Sequence, residues 1–484
     1  MWDARSEKYT KKAAQGAIWL IIKRILIQVI FTTSNILLAR LLFPADFGTY
    51  AIILFVGIVF SVFSDLGFGP SLIQRKDNLK VGDLRTSFTI HLLLCFTVTL
   101  IIFLAAPYIA VFYKLGGKGE LLLRLYSLNF LFGPFKTVSG ALLERKFSYK
   151  KLVSIEVVEG FFGSLTSVIF ALLGFGVFSF IIGSIVGHIA SSILYLIFSP
   201  WPIGLAIDFK RLKSLTKFGF SYQMNLFYGL FYGPLIFLYL GKAVGPVNLG
   251  YYQFAVSLSV LPIALSESVN RIIFPLGSRS QEDKAFFRKI VENSLLIVSF
   301  STLPIVVVLF ASATTIIHLI YTDKWLPALP AVYFGLLQMG IVAYTGLFSQ
   351  LLASLGKVEI IRKMGFVWAV LTVTLAPIFI HFFNFVGMSI AALIVSFSGV
   401  WFCFMLKKEV RFSFWENFLP YFVSAYVAGV VIFLAKNIWP YSFLGLILQL
   451  CLGGTVYLLI VLALAHKRLN YGLKTVVDIL KSSN

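Results

Sequence analysis

The chain has 484 residues, of which 59% are hydrophobic and only 13% are charged. With a mean hydropathy of +0.92 it has too little polar surface to cover a water-soluble globule, so the composition excludes a soluble protein and indicates a membrane protein. The net charge of +21 includes no basic run long enough for a nucleic-acid-binding arm, and no nucleic-acid partner is expected.

Apolar segments recur from one end of the chain to the other, with no soluble domain between them. Each has about 18 to 25 residues, which is the length of a helix that crosses a hydrocarbon core of about 30 Å. They predict an all-α polytopic membrane protein with fourteen transmembrane helices. The predicted spans are residues 15–41, 47–64, 87–112, 120–142, 152–173, 176–198, 218–240, 250–270, 291–311, 329–353, 362–381, 386–406, 418–436 and 442–464.

The connections between these spans alternate in charge. Basic segments such as RKDNLKVGDLR at 75–85 and DFKRLKSLTK at 208–217 lie on the same side as both termini. The intervening connections carry only five cations, Lys114, Lys118, Lys242, Lys324 and Lys436. Because Lys and Arg concentrate on cytoplasmic loops, this asymmetry predicts cytoplasmic N- and C-termini in the cell (inner) membrane.

One turn sequence occurs twice in the chain. FPADFGTYAI at 43–52 is followed by GPVNLGYYQF at 245–254, and an offset of 202 residues aligns Pro44 with Pro246 and Gly48 with Gly250 without a gap. The first copy joins spans 1 and 2, and the second joins spans 7 and 8. A common Pro-x-Asx-x-Gly turn is the simpler explanation, but matched acidic residues further along both copies favour a true internal repeat.

The repeat predicts two seven-helix lobes related by a pseudo-two-fold axis along the membrane normal. Residues 1–200 form the N-lobe with spans 1 to 6. Residues 201–415 begin the C-lobe with spans 7 to 12, which repeat spans 1 to 6 and are linked to them by the cytoplasmic loop 199–217. Residues 416–484 hold spans 13 and 14 and a cytoplasmic tail.

Several segments together resemble a known family. These are ARLLFPADFGTYAI (39–52), SDLGFGPSLIQRKD (64–77), LGYYQFAVSLSVLPIALSESVNRIIFP (249–275) and KWLPALPAVYFGLL (324–337). They are similar to the polysaccharide-transporter (Wzx-like) branch of the multidrug/oligosaccharidyl-lipid/polysaccharide (MOP) flippase superfamily, and most of all to colanic-acid and teichuronic-acid exporter types. The resemblance implies alternating-access export of undecaprenyl-pyrophosphate-linked oligosaccharide repeat units for surface polysaccharide biosynthesis.

Span 1 carries a polar stripe. Arg24, Gln28, Thr32 and Asn35 fall within about 80° of arc on one helical face. Ionisable residues inside a membrane span are costly and usually mark a functional site or an ion pair. We therefore predict that this stripe lines a cationic substrate cavity, the alternative for Arg24 being a helix-packing interface.

Span 7, the repeat partner of span 1, also has a polar face. It includes Asn225, Tyr228 and Tyr232. Aromatic rings of this kind suit sugar rings, so these residues are predicted to contribute to the substrate cavity. The alternative is a helix-packing interface in which the Tyr hydroxyls find partners.

A second charged group is predicted at a similar depth. Lys136 in span 4 and Glu159 in span 5 each lie about 10 to 14 Å from the cytoplasmic side, and Glu156 shares a helix face with Glu159. The plain interpretation is a structural ion pair between Lys136 and one of the carboxylates. The functional hypothesis is that the carboxylates neutralise Lys136 and Arg24 until a pyrophosphate arrives, and that they give H⁺ or Na⁺ a place to bind.

Asp65 and Glu267 occupy equivalent positions in the two repeats, and Arg271 lies one helical turn after Glu267. We predict gating or lobe-closure contacts for these three residues, with ordinary solvation of helix ends as the alternative. The Cys and His residues show no metal-ligand spacing, so neither a metal site nor a cofactor is expected.

The chemistry that other function classes require separates them from a transporter. A membrane glycosyltransferase or polymerase would need paired catalytic acids in sizeable outer loops, which the short outward connections do not offer, so an enzyme is not expected. A multidrug exporter or a lipid II flippase of the same superfamily remains the alternative. The exporter hypothesis implies a lipid-linked oligosaccharide and membrane lipids as ligands, a polysaccharide polymerase and a chain-length regulator as possible partners, and a monomeric protein.

Overall fold

The computed structural model of the protein describes residues 2–75, 79–212, 229–230, 233–436, 438–439 and 441–482. Side chains are described there except at 2–18, 20–21, 265, 268–269, 271–272 and 467–482. Within these residues all regular structure is helical, which confirms the all-α prediction. A bilayer favours this outcome because a helix satisfies its own backbone hydrogen bonds.

Sixteen α-helices are numbered in chain order over the described residues. They are α1 (Trp2–Leu41), α2 (Pro44–Ser64), α3 (Phe68–Gln74), α4 (Val81–Phe112), α5 (Gly119–Ser127), α6 (Gly133–Arg145), α7 (Tyr149–Leu172), α8 (Phe178–Phe198), α9 (Pro234–Ser259), α10 (Ile263–Arg279), α11 (Lys284–Ile316), α12 (Leu329–Ser354), α13 (Val358–Phe397), α14 (Val400–Glu409), α15 (Phe414–Ala435) and α16 (Phe443–Ser482).

The chain divides into two compact units, Met1–Gly250 and Tyr251–Asn484. In the first unit α7 packs against α8 and α1, and α4 packs against α5 and α6. One buried cluster of this unit joins Phe88 of α4 to Val138 of α6 and to Trp201 beyond α8. These contacts hold together the helices that carry the candidate site.

The second unit has two apolar cores of its own. One is built around Phe287, Leu347 and Phe402. The other joins α11, α15 and α16 through Leu303, Tyr421 and related side chains.

Ten helical segments of the described chain are long and apolar enough to cross a bilayer. Two predicted spans, 362–381 and 386–406, fall in a single one of these segments, Val358–Glu409. That segment is not straight, because Asn384 has a φ of 55° and a Cβ on Gly387 would lie 2.0 Å from the carbonyl oxygen of Phe379. Eight residues of a straight helix rise about 12 Å, so the chain turns back here.

Other predicted spans are interrupted or only partly described. The span predicted at 120–142 consists of α5, a 3₁₀ turn at Leu128–Phe132, and α6. The span at 218–240 lies largely outside the described residues. The number fourteen and the two seven-helix lobes therefore stay predictions.

The two copies of the repeated turn lie against each other within the first unit. A Cβ on Gly48 would fall 1.6 Å from the carbonyl oxygen of Pro246, and one on Gly250 would fall 1.8 Å from that of Pro44. This reciprocity is what a local two-fold axis produces, since each copy offers the same surface to the other. In each copy the Pro begins a helical segment, after Phe43 in extended backbone and after Gly245 with a φ of 78°.

Candidate functional site: a polar pocket in the first unit

The interruption between α5 and α6 places irregular backbone inside the first unit. Three features of the local sequence cause it: Asn129 in the turn, Gly133 after it, and Pro134, which lacks an N–H and suits only the first turn of a new helix. Irregular backbone at membrane depth is tolerated where it is covered by protein or lines a polar cavity. Here it borders a cavity.

The cavity has a volume of about 240 Å³ and is formed by α2, α4, α5, α6, α8 and the 3₁₀ turn. That is far more than the roughly 10 to 15 Å³ that one water molecule needs. The lining residues are Gly57, Ile58, Ser61, Ser64, His91, Cys95, Tyr126, Asn129, Phe130, Gly133, Lys136 and His188.

A charged triad forms one wall of this pocket. The Nζ of Lys136 lies 2.7 Å from Oε1 of Glu159, which confirms the predicted pairing of Lys136 with a span 5 carboxylate. His188 completes the group, since its Nδ1 lies 2.6 Å from the same Oε1 and 2.7 Å from the Lys136 Nζ. The three side chains are between 19% and 34% exposed, and Lys136 and His188 line the cavity, with Glu159 behind them.

Close packing of α7 on α8 brings His188 to Glu159. The sequence GSIVG at 183–187 places two glycines four residues apart on α8, and Gly163 and Ser167 match them on α7. A Cβ on Gly187 would lie 2.9 Å from the Glu159 carbonyl oxygen, and one on Gly183 would lie 2.0 Å from the Ser167 hydroxyl. Small residues at this spacing let the two backbones approach closely in a membrane.

Two buried polar atoms on other walls find no hydrogen-bond partner in the described part of the chain. They are Nδ1 of His91, whose residue is only 4% exposed, and Oδ1 of Asn129. The Nδ2 of the same Asn129 side chain donates a hydrogen bond to the Ser184 hydroxyl oxygen at 3.1 Å. Buried polar atoms are normally satisfied by protein, water or ligand, so the pocket is suited to a hydrated or polar occupant.

The span 1 stripe is half-buried or exposed on α1. Gln28 donates to Thr32 at 3.1 Å, and Arg24 and Asn35 are half-buried. The neighbouring Lys23 forms an ion pair with Glu156 at 2.5 Å and so ties α1 to α7. The two predicted carboxylates thus pair with different cations, Glu156 with Lys23 and Glu159 with Lys136.

The predicted gating residues differ in their surroundings. The carboxylate of Asp65 accepts hydrogen bonds from the backbone amides of Gly67 at 2.9 Å and Phe68 at 3.1 Å, which fixes the turn between α2 and α3. Glu267 is exposed on α10, and the Arg271 side chain lies outside the described residues. Asn225, Tyr228 and Tyr232 also lie outside the described residues, and their predicted contribution to the cavity stays a prediction.

His188, His91 and Asn129 are not among the site residues predicted from the sequence. Two signals in the sequence pointed to them. One is the GxxxG of α8 next to His188, which sets a close approach to a neighbouring helix. The other is an Asn and a Gly-Pro pair inside an apolar span, which together indicate an interrupted helix that borders a cavity.

Within the part of the chain that the structure describes, no group of three or more His, Cys, Asp or Glu residues is placed to hold a metal ion. The pocket instead offers one ammonium group, two imidazoles, hydroxyls and an amide. These groups can bind an anion or a hydroxyl-rich ligand and can exchange a proton.

Ten membrane-length helical segments in the described residues, with a polar pocket within the first unit, define a multi-pass membrane protein. Solved structures share this fold. The lipid II flippase MurJ in an inward closed conformation matches with a TM-score of 0.76 and 16% identity over 94% of this chain and all 100% of its own. An inward-facing multidrug resistance MATE transporter of the MOP superfamily matches with a TM-score of 0.57 and 13% identity over 81% of this chain and 98% of its own.

The chain belongs to the family described as "Polysaccharide biosynthesis protein", which matches residues 37–330. Its relatives include the teichuronic acid biosynthesis protein TuaB of Bacillus subtilis, 21% identical over 74% of each chain. The lipopolysaccharide biosynthesis protein WzxC of Escherichia coli is 23% identical over 87% of this chain and 88% of its own. The resemblance to the polysaccharide-transporter branch of the MOP superfamily is thereby confirmed.

Proposed function

We propose that this protein is a flippase that moves undecaprenyl-pyrophosphate-linked oligosaccharide repeat units from the cytoplasmic to the outer leaflet of the cell membrane. It supplies surface polysaccharide biosynthesis and acts as a transporter, not as an enzyme. Support comes from the polysaccharide biosynthesis family and from a fold shared with MurJ and a MATE transporter. Both termini face the cytoplasm, and a polysaccharide polymerase takes up the product.

The observation that carries this proposal is the Lys136 ammonium at the wall of a polar pocket inside a membrane fold. A cation at membrane depth is expensive unless it is paired or functional. Here Lys136 is paired with Glu159 yet remains open to the cavity. An arriving pyrophosphate can replace the carboxylate as the counter-ion of Lys136. The ion pair therefore keeps the empty site neutral, and binding of the substrate breaks the pair.

The triad also provides a place for a coupling proton. Nδ1 of His188 lies within hydrogen-bond distance of both a donor, Lys136, and an acceptor, Glu159. It can donate to the carboxylate or accept from the ammonium, but not both at once. Protonation of this histidine or of Glu159 therefore changes which partner Lys136 keeps, and we propose H⁺ rather than Na⁺ as the coupling ion.

The test uses purified protein in proteoliposomes loaded with fluorescent undecaprenyl-pyrophosphate oligosaccharide. Lys136→Ala is expected to reduce flipping at least about tenfold, because loss of one charge-assisted contact of about 1.5 to 3 kcal/mol corresponds to that factor or more. Lys136→Arg should retain part of the activity. Lys289→Ala, which removes an exposed cation of α11, is the matched control and should leave flipping unchanged.

Normal flipping by Lys136→Ala at an equal protein level would contradict cationic capture at this pocket. If the wild-type protein moved cationic dyes but no oligosaccharide lipid, the drug-exporter alternative would replace the proposal.

A further inference from the structure

The segment that follows α8 carries an exposed apolar face; residues 203–208 lie outside any helix, and helical backbone begins at 209. Between residues 203 and 209 exposure alternates with every residue. The outward side chains are large and hydrophobic: Ile203 is 47% exposed, Leu205 71%, Ile207 50% and Phe209 78%. An alternation of this kind belongs to extended backbone with one solvent or lipid face and one protein face.

The other face of this segment is fixed to the beginning of α4. Arg85 donates from Nε to the carbonyl oxygen of Pro202 at 3.0 Å, and the backbone amide of Ala206 donates to the Thr89 hydroxyl at 3.0 Å. The Trp201 ring packs against Phe88 with ring centroids 5.3 Å apart. The outward direction of the apolar side chains is therefore set by the fold.

An ion-pair network closes the end of the segment. Arg211 binds Asp83 at 2.9 Å and Asp208 at 2.8 Å. Hydrogen bonds from the backbone amide and then from the guanidinium of Arg211 keep the pKa of Asp208 below its ordinary value. These carboxylates are charged at neutral pH, so the network persists there.

The length of α4 sets the depth of the segment in the membrane. α4 has 32 residues and is about 48 Å long, whereas the hydrocarbon core is only about 30 Å thick. If Phe112, the last residue of α4, marks the far edge of the core, the core ends about 20 residues before it, near Leu92. Thr89 then lies about 5 Å outside it and Arg85 about 10 Å outside it, at the level of the lipid headgroups.

Exposed apolar side chains are ordinary within the hydrocarbon core, but a row of four at headgroup level is not, because water would otherwise contact them. Exposed cations adjoin the segment or the helices next to it in the chain. Lys80 precedes α4, Lys210 follows Phe209, and Lys151 lies with its Nζ 5.7 Å over the Phe198 ring. Apolar insertion combined with Lys and Arg is what binds a segment to an anionic membrane surface.

We propose that residues 203–209 form an interfacial anchor whose apolar side chains insert between anionic phospholipids while the surrounding lysines bind their phosphates. The anchor holds the beginning of α4, and with it the wall of the pocket, at a fixed height in the bilayer. This inference is independent of the transported substrate.

The test measures the depth of a nitroxide label. Leu205→Cys and the control Lys210→Cys are each prepared with Cys451→Ser, which removes the exposed native thiol; Cys95 and Cys403 are buried. The full chain is placed in nanodiscs of phosphatidylcholine, with or without phosphatidylglycerol. Power saturation compares collisions with oxygen, which dissolves in lipid, and with a water-soluble nickel complex.

In phosphatidylglycerol discs the label at 205 is expected to show a severalfold higher oxygen-to-nickel ratio than the label at 210. Replacing Lys80 and Lys210 by Gln in the Leu205→Cys protein should lower that ratio toward the value in pure phosphatidylcholine. A label at 205 that is as accessible to nickel as the label at 210 would overturn insertion. An equal ratio in both lipid mixtures would overturn the role of anionic lipid.

Discussion

At the scale of single residues, the His188 ring adds a third titratable group to the Lys136–Glu159 pair. Lys136 and Glu159 alone would form a neutral pair, but a third titratable group within 2.7 Å of both allows the same atoms to carry a different net charge. A paired charge that also faces a cavity can exchange its partner for a ligand. A fully enclosed pair would instead be structural, since breaking it leaves an uncompensated charge.

A neutral double substitution separates structure from transport at this triad. Lys136→Met alone is expected to destabilise the protein by about 1 to 3 kcal/mol, because Glu159 loses its cationic partner. Lys136→Met combined with Glu159→Gln should recover most of that loss, because no unpaired charge remains. Flipping should stay reduced at least about tenfold in both variants, since neither offers the Lys136 ammonium to a pyrophosphate.

The measurement is the unfolding temperature of each variant in one detergent, together with flipping in proteoliposomes. If the double variant regained transport along with stability, the pair would be structural only and the proposed capture of an anion would be wrong.

Part of this triad could be predicted from the chain alone and part could not. Lys136 and Glu159 were placed at the same depth by counting helical rise from the membrane edge, and their contact is confirmed. His188 lies 29 residues after Glu159, and no periodicity within α8 says which helix its ring meets. That partner depends on the register between α7 and α8. The glycines of the two helices set this register by packing against each other, and the sequence of either helix alone does not show it.

At the scale of elements, the repeated turn shows why glycine stands at both equivalent positions. Each glycine faces the backbone of the other copy so closely that even a methyl group has no room. Predicting the repeat needed only the linear pattern of Pro, Asx, Gly and Tyr. Predicting that the two copies touch each other would have required the tertiary arrangement.

Gly48→Ala is expected to lower stability by at least about 2 kcal/mol, because the added Cβ would overlap the Pro246 carbonyl oxygen and force backbone to move. Gly250→Ala should act similarly. The double variant should cost less than the sum of the two, since one displacement relieves both clashes. Thermal unfolding in detergent measures all three.

Gly365→Ala is the matched control, since no atom lies within 4 Å of its Cβ position and alanine favours a helix. It should leave the unfolding temperature unchanged or slightly higher. Strictly additive costs at positions 48 and 250 would show that the two turns do not share one contact.

Hydropathy does not predict where a transmembrane helix is interrupted. The segment at 120–142 is apolar enough to be a single span, yet Asn129 and the Gly133–Pro134 pair divide it into two helices and a 3₁₀ turn. Hydropathy averages over a window and does not detect such a break. The turn at Asn384 is the opposite case, because there the two predicted spans describe the reversal of the chain better than one continuous helix does.

At the scale of the whole molecule, composition and charge asymmetry lead to a topology. The hydropathy of the chain requires a membrane, and the chain is a multi-pass member of the polysaccharide biosynthesis family. Orientation rests on a separate physical argument, the preference of Lys and Arg for the cytoplasmic side. It can be tested without any substrate.

Single cysteines report this orientation in intact cells. With Cys451→Ser to remove the exposed native thiol, Lys118→Cys between α4 and α5 is expected to react with a membrane-impermeant maleimide added from outside. Lys210→Cys should react only after the membrane is permeabilised, because the basic connection beyond α8 is predicted to face the cytoplasm. Both side chains are exposed, so accessibility of the residue itself does not bias the comparison. If Lys210→Cys were labelled from outside and Lys118→Cys only after permeabilisation, the topology would be the reverse of the predicted one. The proposed anchor would then lie on the outer leaflet, and the direction of transport through the pocket would have to be assigned again.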